Sequence, residues 1–420
     1  MEDNPIPSLE PSRPAGQRSV AGLALPPLER VRVGFVGLGQ RGHEAVKRWC
    51  HIPRTDIVAV CDLSADHVAD AQQTLVDNGR PQARAYSSAD ALCEQADVDL
   101  VYVCTDWTSH FAIACQALER GRNVAVEVPA VMTIREAWHL VDLAERQQRH
   151  CMMLENCCYD YFELATAAMA RSGRLGLVVH GEGGYCHDLE DRWEPWRLRY
   201  NAAHRGDVYP THGLGPVCLA MGVHRGDTLR TLVSMDTMPS PLVAERHERL
   251  LRESGEGTAA STRPFANGAV TTTLLRTEQG RTILLDHDVQ TPQPYSRGYR
   301  LVGTTGYANK YPTSQLWIDG HEVAADEQAA LIDRYLPDDI RRLRPTAAQY
   351  DHRGGISYLM DYRLAHCLQQ GLPLDMDVYD LAEWCSVVEL SERSVSQGFA
   401  PVAVPRFCRF GLNVNRYYPW

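Results

Sequence analysis

A glycine-rich turn between two apolar stretches constrains this 420-residue chain more than any other feature of its sequence. Residues 31–36 read VRVGFV, and a G-x-G-x-x-G arrangement follows before a segment with apolar residues at helical spacing. The three glycines are Gly37, Gly39 and Gly42. A second apolar stretch, residues 56–61, ends at Asp62, which lies 20 residues after the last glycine. A strand, a glycine turn, a helix and a second strand ending in an acid predict a dinucleotide site.

Each part of this stretch has a physical role. The first glycine permits a tight turn, the second lets a pyrophosphate approach the backbone, and the third allows the helix to pack closely on the strand. The free N–H groups at the helix N-terminus favour anions. Asp62 would accept hydrogen bonds from ribose hydroxyls and repel a 2′-phosphate, which favours NAD over NADP. Arg41 is close enough in sequence to weaken that preference.

The remainder of the first 158 residues alternates predicted strands and helices, which is typical of an α/β fold, a doubly wound parallel Rossmann sheet. The second half changes character and predicts an α+β domain with a mainly antiparallel open sheet. Its predicted strands are residues 175–185, 229–235, 270–275, 282–289, 299–302 and 315–318. We therefore predict a tail over residues 1–30 lying on the first domain, an NAD-binding domain over 31–158 and a substrate-binding domain over 159–420.

Composition excludes several classes of function. The formal net charge is −11, the pI is near 5.8 and no basic run is present, so no nucleic acid partner is expected. No apolar stretch approaches the length of a membrane span. Thirteen cysteines without a regular framework are typical of reduced thiols in a cytoplasmic enzyme. The expected partner is a small molecule, and the oligomeric state stays open, a homo-oligomer included.

Polar residues follow three predicted strands of the first sheet, at the edge where ligands bind to such sheets. They are Trp107, Thr108, Ser109 and His110, then Glu127 and Val128, and then Glu155 and Asn156. Trp107 and His110 would contact the nicotinamide side of the cofactor. The alternative is a helix cap at Thr108 or Ser109 with aromatic neighbours in the core.

Three polar clusters are expected to converge where the two domains meet, because pockets favour domain interfaces. They are residues 155–156, 185–188 and 209–216, the last predicted as a proline-glycine loop with a fixed backbone. Alternatives stay open for several members. His212 could be a core histidine, Arg197 could face solvent, and Tyr295 and Tyr299 could be pocket walls or core aromatics. Cys186, His187, His204 and His212 are metal-ligand types, but their spacing matches no zinc pattern, so no metal is expected.

Four ordered motifs carry a resemblance to a known family. They are RVGFVGLG at residues 32–39, MLENCCY at 153–159, HGEGGY followed by HDL at 180–189, and YPTHGLGP at 209–216. With these motifs the chain resembles the Gfo/Idh/MocA superfamily and, within it, glycoside hydrolase family 109. The resemblance runs from about residue 31 to the C-terminal region.

The resemblance implies roles for residues of this chain. By it, NAD would be bound by Gln40, Arg41, Asp62, Trp107, Thr108, Ser109, His110, Glu127, Val128 and Asn156. The sugar site would be lined by Tyr185, Arg197, Tyr209, Pro210, Thr211, His212 and Tyr295, with Tyr299 as the competitor of Tyr295. The family name suggests α-linked N-acetylgalactosamine as the sugar.

The chain departs from the dehydrogenases of this superfamily at two positions. They usually carry Glu-Lys-Pro after the fifth strand, whereas this chain has Val128 in place of the lysine. Lys47 and Lys310 are its only lysines. The acid usually found four residues before the histidine is replaced by Val208. Both departures argue against a plain dehydrogenase.

The resemblance implies hydrolysis of a glycoside with NAD+ regenerated in every turnover and no net redox change. Hydride leaves C3 of the sugar, a base takes the C2 proton, the C1 substituent is eliminated, water adds and the hydride returns. On chemical grounds we assign Tyr185 to the C2 proton and His212 to the leaving group and water, with Glu155 and His187 assisting. The alternatives are an NAD-dependent sugar or inositol dehydrogenase and a non-catalytic NAD-bound sugar sensor.

Overall fold

The computed structural model describes residues 9–189, 192–254 and 264–409. The first eight residues of the predicted tail and the last eleven of the predicted C-terminal domain lie outside the described residues. The strands are β1 Val31–Val36, β2 Thr55–Cys61, β3 Arg84–Tyr86, β4 Leu100–Val103, β5 Asn123–Val126, β6 Cys151–Met153, β7 Val178–Cys186, β8 Leu229–Asp236, β9 Val270–Thr277, β10 Thr282–Asp288, β11 Arg300–Gly303, β12 Gly306–Asn309, β13 Gln315–Ile318, β14 His321–Glu322 and β15 Val402–Ala403.

The helices, numbered in chain order, are α1 Gln40–Trp49, α2 Ala65–Asp77, α3 Ala89–Gln95, α4 Trp107–Glu119, α5 Ile134–Gln147, α6 Tyr161–Arg171, α7 Pro195–Ala203, α8 Thr211–Met221, α9 Pro241–Glu253, α10 Ala325–Tyr335, α11 Asp338–Tyr350, α12 Ile356–Gln370 and α13 Val378–Ser396. A short 3₁₀ helix, Asn156–Tyr159, follows β6.

The first sheet has six parallel strands in the order β3-β2-β1-β4-β5-β6. The order reverses between β1 and β4, and such a reversal opens a ligand crevice at the carboxyl ends of the strands. The predicted Rossmann sheet is confirmed. A capping box formed by Thr133 and Glu136 begins α5. β3 was not predicted, because three residues with two exposed side chains carry no readable pattern.

The second sheet has nine strands in the order β14-β13-β12-β11-β7-β10-β9-β8-β15. Neighbours pair antiparallel except β7 and β10, which run parallel. The predicted mainly antiparallel sheet is therefore confirmed. β7 begins at Val178 rather than at the predicted residue 175, because Gly176 turns the chain with a φ of +69°.

The segment 209–216 forms the start of helix α8, and the predicted proline-glycine loop is wrong. Its glycines allow a close approach to β7: a Cβ on Gly213 would lie 2.1 Å from the backbone nitrogen of Gly184. Helix α8 therefore lies backbone to backbone on the strand. Tertiary packing overrides the low helix propensity of glycine and proline here.

Helix α13 joins the two sheets, because it packs on α5 beside the first sheet and on β8 of the second. The N-terminal segment crosses the same region: the indole N–H of Trp138 donates to the carbonyl of Leu9, and the backbone N–H of Leu28 donates to the carbonyl of Leu368. Within the described ranges, no helix combines the length and apolar character needed to cross a membrane.

Candidate active site

The glycine turn after β1 has the geometry of a pyrophosphate cradle. Gly37 has a φ of +88°, and a Cβ there would lie 2.6 Å from the backbone of Cys104. A Cβ on Gly42 would lie 2.0 Å from the carbonyl oxygen of Gly37, so helix α1 packs tightly on the turn. A Cβ on Gly39 would meet nothing within 4 Å. The backbone is thus open on the side where an anion would approach the start of α1.

Asp62 lies at the end of β2 and supports this turn. Its carboxylate accepts hydrogen bonds from the backbone N–H groups of Leu38 at 2.5 Å and Ser64 at 2.8 Å. Arg41 is directed elsewhere, because its guanidinium donates to Glu127 at 3.0 Å. The charge of Arg41 is therefore paired at the neighbouring strand edge and does not offset the carboxylate of Asp62.

The residues after β4 form the first turn of α4, whose N-cap is Asp106 rather than Thr108 or Ser109. Thr108 and Ser109 both donate to the Asp106 carboxylate. His110 is 1% exposed, and its ring nitrogens lie 2.8 Å and 2.9 Å from the carbonyl oxygens of Pro129 and Thr105. In this structure His110 ties two strand-edge loops together instead of facing the crevice.

The residues that follow β5 and β6 are also buried. Val128 donates its backbone N–H to the Glu127 carboxylate at 3.3 Å, and both residues lie in the interior. Asn156 donates its amide N–H to the hydroxyl of Ser357 at 3.0 Å, which holds the 3₁₀ turn against helix α12. These contacts place the predicted cofactor residues along one edge of the first sheet.

Tyr185 and His187 form a hydrogen-bonded pair at the end of β7, with 2.9 Å between the hydroxyl and Nδ1. Arg192 lies 3.4 Å from the other nitrogen, Nε2, and a guanidinium can only donate. Nε2 is therefore the acceptor, and Nδ1 carries the hydrogen that points at the Tyr185 oxygen. Burial, Arg192 and Arg197 lower the pKa of His187, which favours its neutral form.

Glu155 and His212 form the second pair, with 2.6 Å between Oε1 and Nδ1. Although burial opposes it, the Cys157 thiol and the Glu155 carboxylate raise the pKa of His212 well above its ordinary value. His212 is therefore held as an imidazolium. Its Nε2 lies 3.4 Å from the hydroxyl of Tyr209 and is the nitrogen directed away from Glu155.

The two pairs meet because β7 and α8 are in backbone contact. Tyr185 lies two residues after Gly183, and His212 directly precedes Gly213 in the first turn of α8. The rings of Tyr185 and His212 are 5.3 Å apart between centroids. Thr211 and Pro210, beside them, are buried at the start of the helix. The site thus brings the Tyr185–His187 pair next to the Glu155–His212 pair.

Aromatic rings surround this centre. Tyr209 stacks on Trp107 with 5.4 Å between ring centroids, and the guanidinium of Arg197 lies 5.1 Å from the Trp107 ring. Tyr295 is 45% exposed, and its ring is 5.2 Å from that of His187. Tyr299, its competitor, is 1% exposed and hydrogen-bonds Thr166 in the core. The structure therefore brings Tyr295, and not Tyr299, next to the Tyr185 pair.

One group of side chains in the described part of the chain has the composition and spacing of a metal site: Glu155, Cys157 and His212. Four residues of metal-ligand type stand out in the sequence, which are Cys186, His187, His204 and His212. This group contains only His212 among them. The 2.6 Å hydrogen bond already engages the ligating atoms of Glu155 and His212 with each other. The geometry is that of an ion pair.

Several residues near this centre were not selected from the sequence. Cys157 directly follows Asn156, Arg192 lies five positions after His187, and Arg297 lies two positions after Tyr295. Asp207 is buried, accepts the backbone N–H of Tyr209 at 3.0 Å, and has its pKa raised by burial to about 7. The only sequence signal for these residues is that they lie near a predicted site motif. Nearness in sequence alone does not distinguish residues that contact the site from those that do not.

Comparisons with known proteins agree with this geometry. Residues 31–155 match the family described as oxidoreductase family, NAD-binding Rossmann fold, and residues 190–412 match glycosyl hydrolase 109, C-terminal domain. The chain is 47% identical to glycosyl hydrolase family 109 protein 1 of Bacteroides fragilis over 99% of this chain and 93% of that protein. A family 109 protein of Porphyromonas gingivalis is also 47% identical, over 96% of this chain and 90% of its own length.

Solved structures share the fold at low identity. Levoglucosan dehydrogenase in complex with NADH and L-sorbose superposes with a TM-score of 0.67 and 15% identity, covering 90% of this chain and 100% of its own. Scyllo-inositol dehydrogenase from Lactobacillus casei, with bound NAD(H) and scyllo-inositol, gives 0.64 and 11% identity over 89% of this chain and 99% of its own. These neighbours share the fold of this chain, and the match of residues 31–155 to the NAD-binding Rossmann family supports a nicotinamide cofactor.

Proposed function

Because this chain belongs to glycosyl hydrolase family 109, we propose that it hydrolyses N-acetylgalactosaminides with NAD+ as a cofactor that is regenerated in each turnover. The observation that carries the proposal is the juxtaposition of Tyr185, supported by a neutral His187, with a cationic His212 at 5.3 Å between ring centroids. Elimination across C1 and C2 of a sugar needs a base and an acid at neighbouring atoms. The site supplies both.

The residues at the sheet edge fit a dinucleotide. The open backbone at Gly39 would receive the pyrophosphate, and Asp62 would accept hydrogen bonds from the ribose, which favours NAD over NADP. When bound, NAD would take the hydride of C3 and later return it, while the C3 hydroxyl proton would leave to water and return with the hydride. The protein's own contribution is to hold that sugar against the crevice and to move protons at C2 and at the glycosidic oxygen.

Tyr185 takes the C2 proton once C3 is a ketone, because the hydrogen at Nδ1 of His187 stabilises the phenolate. His212 donates its Nε2 proton to the departing oxygen as the C1–O bond breaks. The neutral imidazole then takes a proton from the water that adds at C1, and Tyr185 returns the proton to C2. Glu155 holds His212 in the cationic form between turnovers. A pair of carboxylates flanking an oxocarbenium-like centre is not required.

The lysine of a dehydrogenase has no substitute at this site. Val128 occupies its position, and Lys310 is paired with Asp160 at 2.5 Å and with Glu163 at 2.7 Å. Lys47 lies in the last turn of α1, at the end of that helix away from the glycine turn. Because no lysine is available to take the C3 hydroxyl proton, the chain departs from the usual dehydrogenases, and we propose that water takes this proton.

The test uses p-nitrophenyl N-acetylgalactosaminides with the purified protein, before and after removal and readdition of NAD. We expect nitrophenol release that depends on NAD, no accumulation of NADH, and deuterium at C2 of the sugar released in D₂O. Stoichiometric NADH formation with a free sugar would support the dehydrogenase alternative instead. Neither activity, with sugar still bound, would support a sensor. Hydrolysis without C2 exchange would exclude the elimination mechanism.

The remaining sequence predictions stand as proposals. All thirteen cysteines are free thiols, which supports a reducing, cytoplasmic location. The partner we propose is a small glycoside, with no nucleic acid or membrane partner, and a homo-oligomer stays open. We also propose that the chain consists of a tail over residues 1–30, a nucleotide-binding domain over 31–158 and a substrate-binding domain over 159–420.

A further inference from the structure

A cluster of two cations and two anions lies beside Tyr295, with Arg297 and Glu163 buried and Asp160 and Lys310 partly buried. Arg297 is 5% exposed and donates to Asp160 at 2.8 Å and to Glu163 at 2.5 Å. Lys310 pairs with the same two carboxylates at 2.5 Å and 2.7 Å. The cluster has no net charge, which is the condition under which buried charges are tolerated.

One member of this cluster also reaches the site. The second terminal nitrogen of Arg297 donates to the hydroxyl of Tyr295 at 3.3 Å. Both cations lie near the ring of Tyr311, Lys310 at 5.5 Å and Arg297 at 5.7 Å. The hydrogen bond to the Tyr295 hydroxyl distinguishes Arg297 from Lys310 among the described contacts.

The side chain of Tyr295 needs such a hydrogen-bond partner because it is otherwise weakly restrained. It lies in the connection between β10 and β11, and its side chain is 45% exposed. Its ring contacts those of His187 at 5.2 Å, Tyr185 at 6.4 Å and Tyr311 at 6.3 Å, all edge to face. An exposed aromatic ring on a loop would populate several rotamers without a fixed hydroxyl partner.

The two anions of the cluster, Asp160 and Glu163, belong to the chain segment that also carries Glu155 of the Glu155–His212 pair. Asp160 is the N-cap of α6 and Glu163 lies in its first turn. That helix begins directly after the 3₁₀ turn that follows Glu155. The cluster thus ties the loop that carries Tyr295 to the chain segment that holds Glu155 and, through it, His212.

We propose that Arg297 is a positioning residue for Tyr295 and, through it, fixes one wall of the sugar pocket. This inference rests on the proposed function, in which Tyr295 contacts the sugar. Arg297 does not touch the reacting atoms. Its planar fork reaches the hydroxyl and the carboxylates at once, which a lysine side chain cannot do.

The experiment compares Y295F, R297K and the double variant, with p-nitrophenyl α-N-acetylgalactosaminide as the substrate. Each single variant should raise KM about tenfold with kcat within about twofold, because ground-state contact is lost while proton transfer is not. The double variant should also be about tenfold worse, since both changes remove one interaction. K310R, the matched swap at the other cation, should leave KM within about twofold.

Three results would overturn the proposal: a double variant about a hundredfold worse in KM, K310R as damaging as R297K, or a fall in kcat alone.

Calorimetric titration with N-acetylgalactosamine separates this inference from the proposed function. Binding without hydrolysis would refute the proposed function, while the same pattern in Kd would still support positioning. If the protein neither binds nor hydrolyses, crystal structures decide: Tyr295 displaced in R297K but not in K310R supports the proposal, and Tyr295 unmoved in both refutes it.

Discussion

Oε1 of Glu155 lies 2.6 Å from Nδ1 of His212, and this hydrogen bond links the end of the first sheet's last strand to helix α8 of the second half. The carboxylate is fully buried, so the low-polarity surroundings strengthen its attraction for the imidazolium. His212 therefore carries its proton at pH values where an ordinary histidine has lost it.

Glu155→Gln should move the alkaline limb of the pH dependence of kcat/KM to lower pH. The neutral amide no longer stabilises the imidazolium, so the pKa of His212 falls and the acid form is lost earlier as pH rises. Activity should fall most at alkaline pH. The measurement is the pH profile on an aryl glycoside, with Glu136→Gln in the α5 capping box as a control whose limb stays in place. An unchanged limb in Glu155→Gln would contradict the assigned role of His212.

Tyr185→Phe should lower kcat by at least about 100-fold, the usual contribution of a positioned proton-transfer group. The phenyl ring keeps the packing against His187 and His212 but removes the oxygen that takes the C2 proton. Mass spectrometry should find no C2 deuterium in sugar recovered from D₂O. Tyr299→Phe, which loses a hydroxyl in the core, should keep activity within about twofold. Retained C2 exchange in Tyr185→Phe would assign the base to another residue.

Gly213→Ala should reduce both stability and activity. The added Cβ would lie 2.1 Å from the Gly184 nitrogen, so α8 must move away from β7, at a cost of about 1–3 kcal/mol. That movement separates His212 from Tyr185, and kcat should fall by more than the loss of folded protein explains. Thermal melting and kcat on the same preparation check both effects. A variant with unchanged melting temperature and activity would show that the contact has more room than the structure indicates.

His224→Gln should destabilise the protein by about 3–5 kcal/mol, because it breaks a buried ion cluster. His224 lies 3.1 Å from Glu383 and 3.4 Å from Asp380. Burial opposes protonation, but Glu383 and Asp380 raise the pKa of His224 to about 10.

The folded-state pKa of His224 lies above the unfolded value, so its stabilisation is complete below about pH 6.5 and is lost as pH rises toward 10. The difference in unfolding free energy between the natural protein and His224→Gln should therefore shrink over that interval. Denaturant unfolding at several pH values measures it. A difference that is constant with pH would show that His224 is neutral in the folded state.

The first sheet could be predicted almost strand by strand, because its apolar runs, glycine turn and serine and threonine caps are local signals. The family resemblance and the enzyme class, a glycoside hydrolase, are confirmed by the matches over nearly the whole chain. The motif HGEGGY also led to Tyr185 and His187. These features depend on residues that are neighbours in the sequence.

Long-range contacts could not be predicted in the same way. The parallel pairing of β7 with β10 joins residues about a hundred positions apart, and no local pattern reports it. Helix α8 resembled a loop because its glycines are explained only by the backbone of β7. The contact of His110 with the carbonyl oxygen of Pro129, on the loop after the next strand, has no local pattern that reports it either.

The backbone contact of Gly183 and Gly184 with Gly213 has a consequence for how such a site can change over time. Side chains around the sugar, such as Arg197 and Tyr295, can be exchanged one at a time to suit a different substituent. The spacing between Tyr185 and His212 has less freedom, since the main chains that carry them are in direct backbone contact. Selectivity and reaction chemistry are therefore encoded in separable parts of the molecule. New sugars could be accommodated without rebuilding the proton-transfer apparatus.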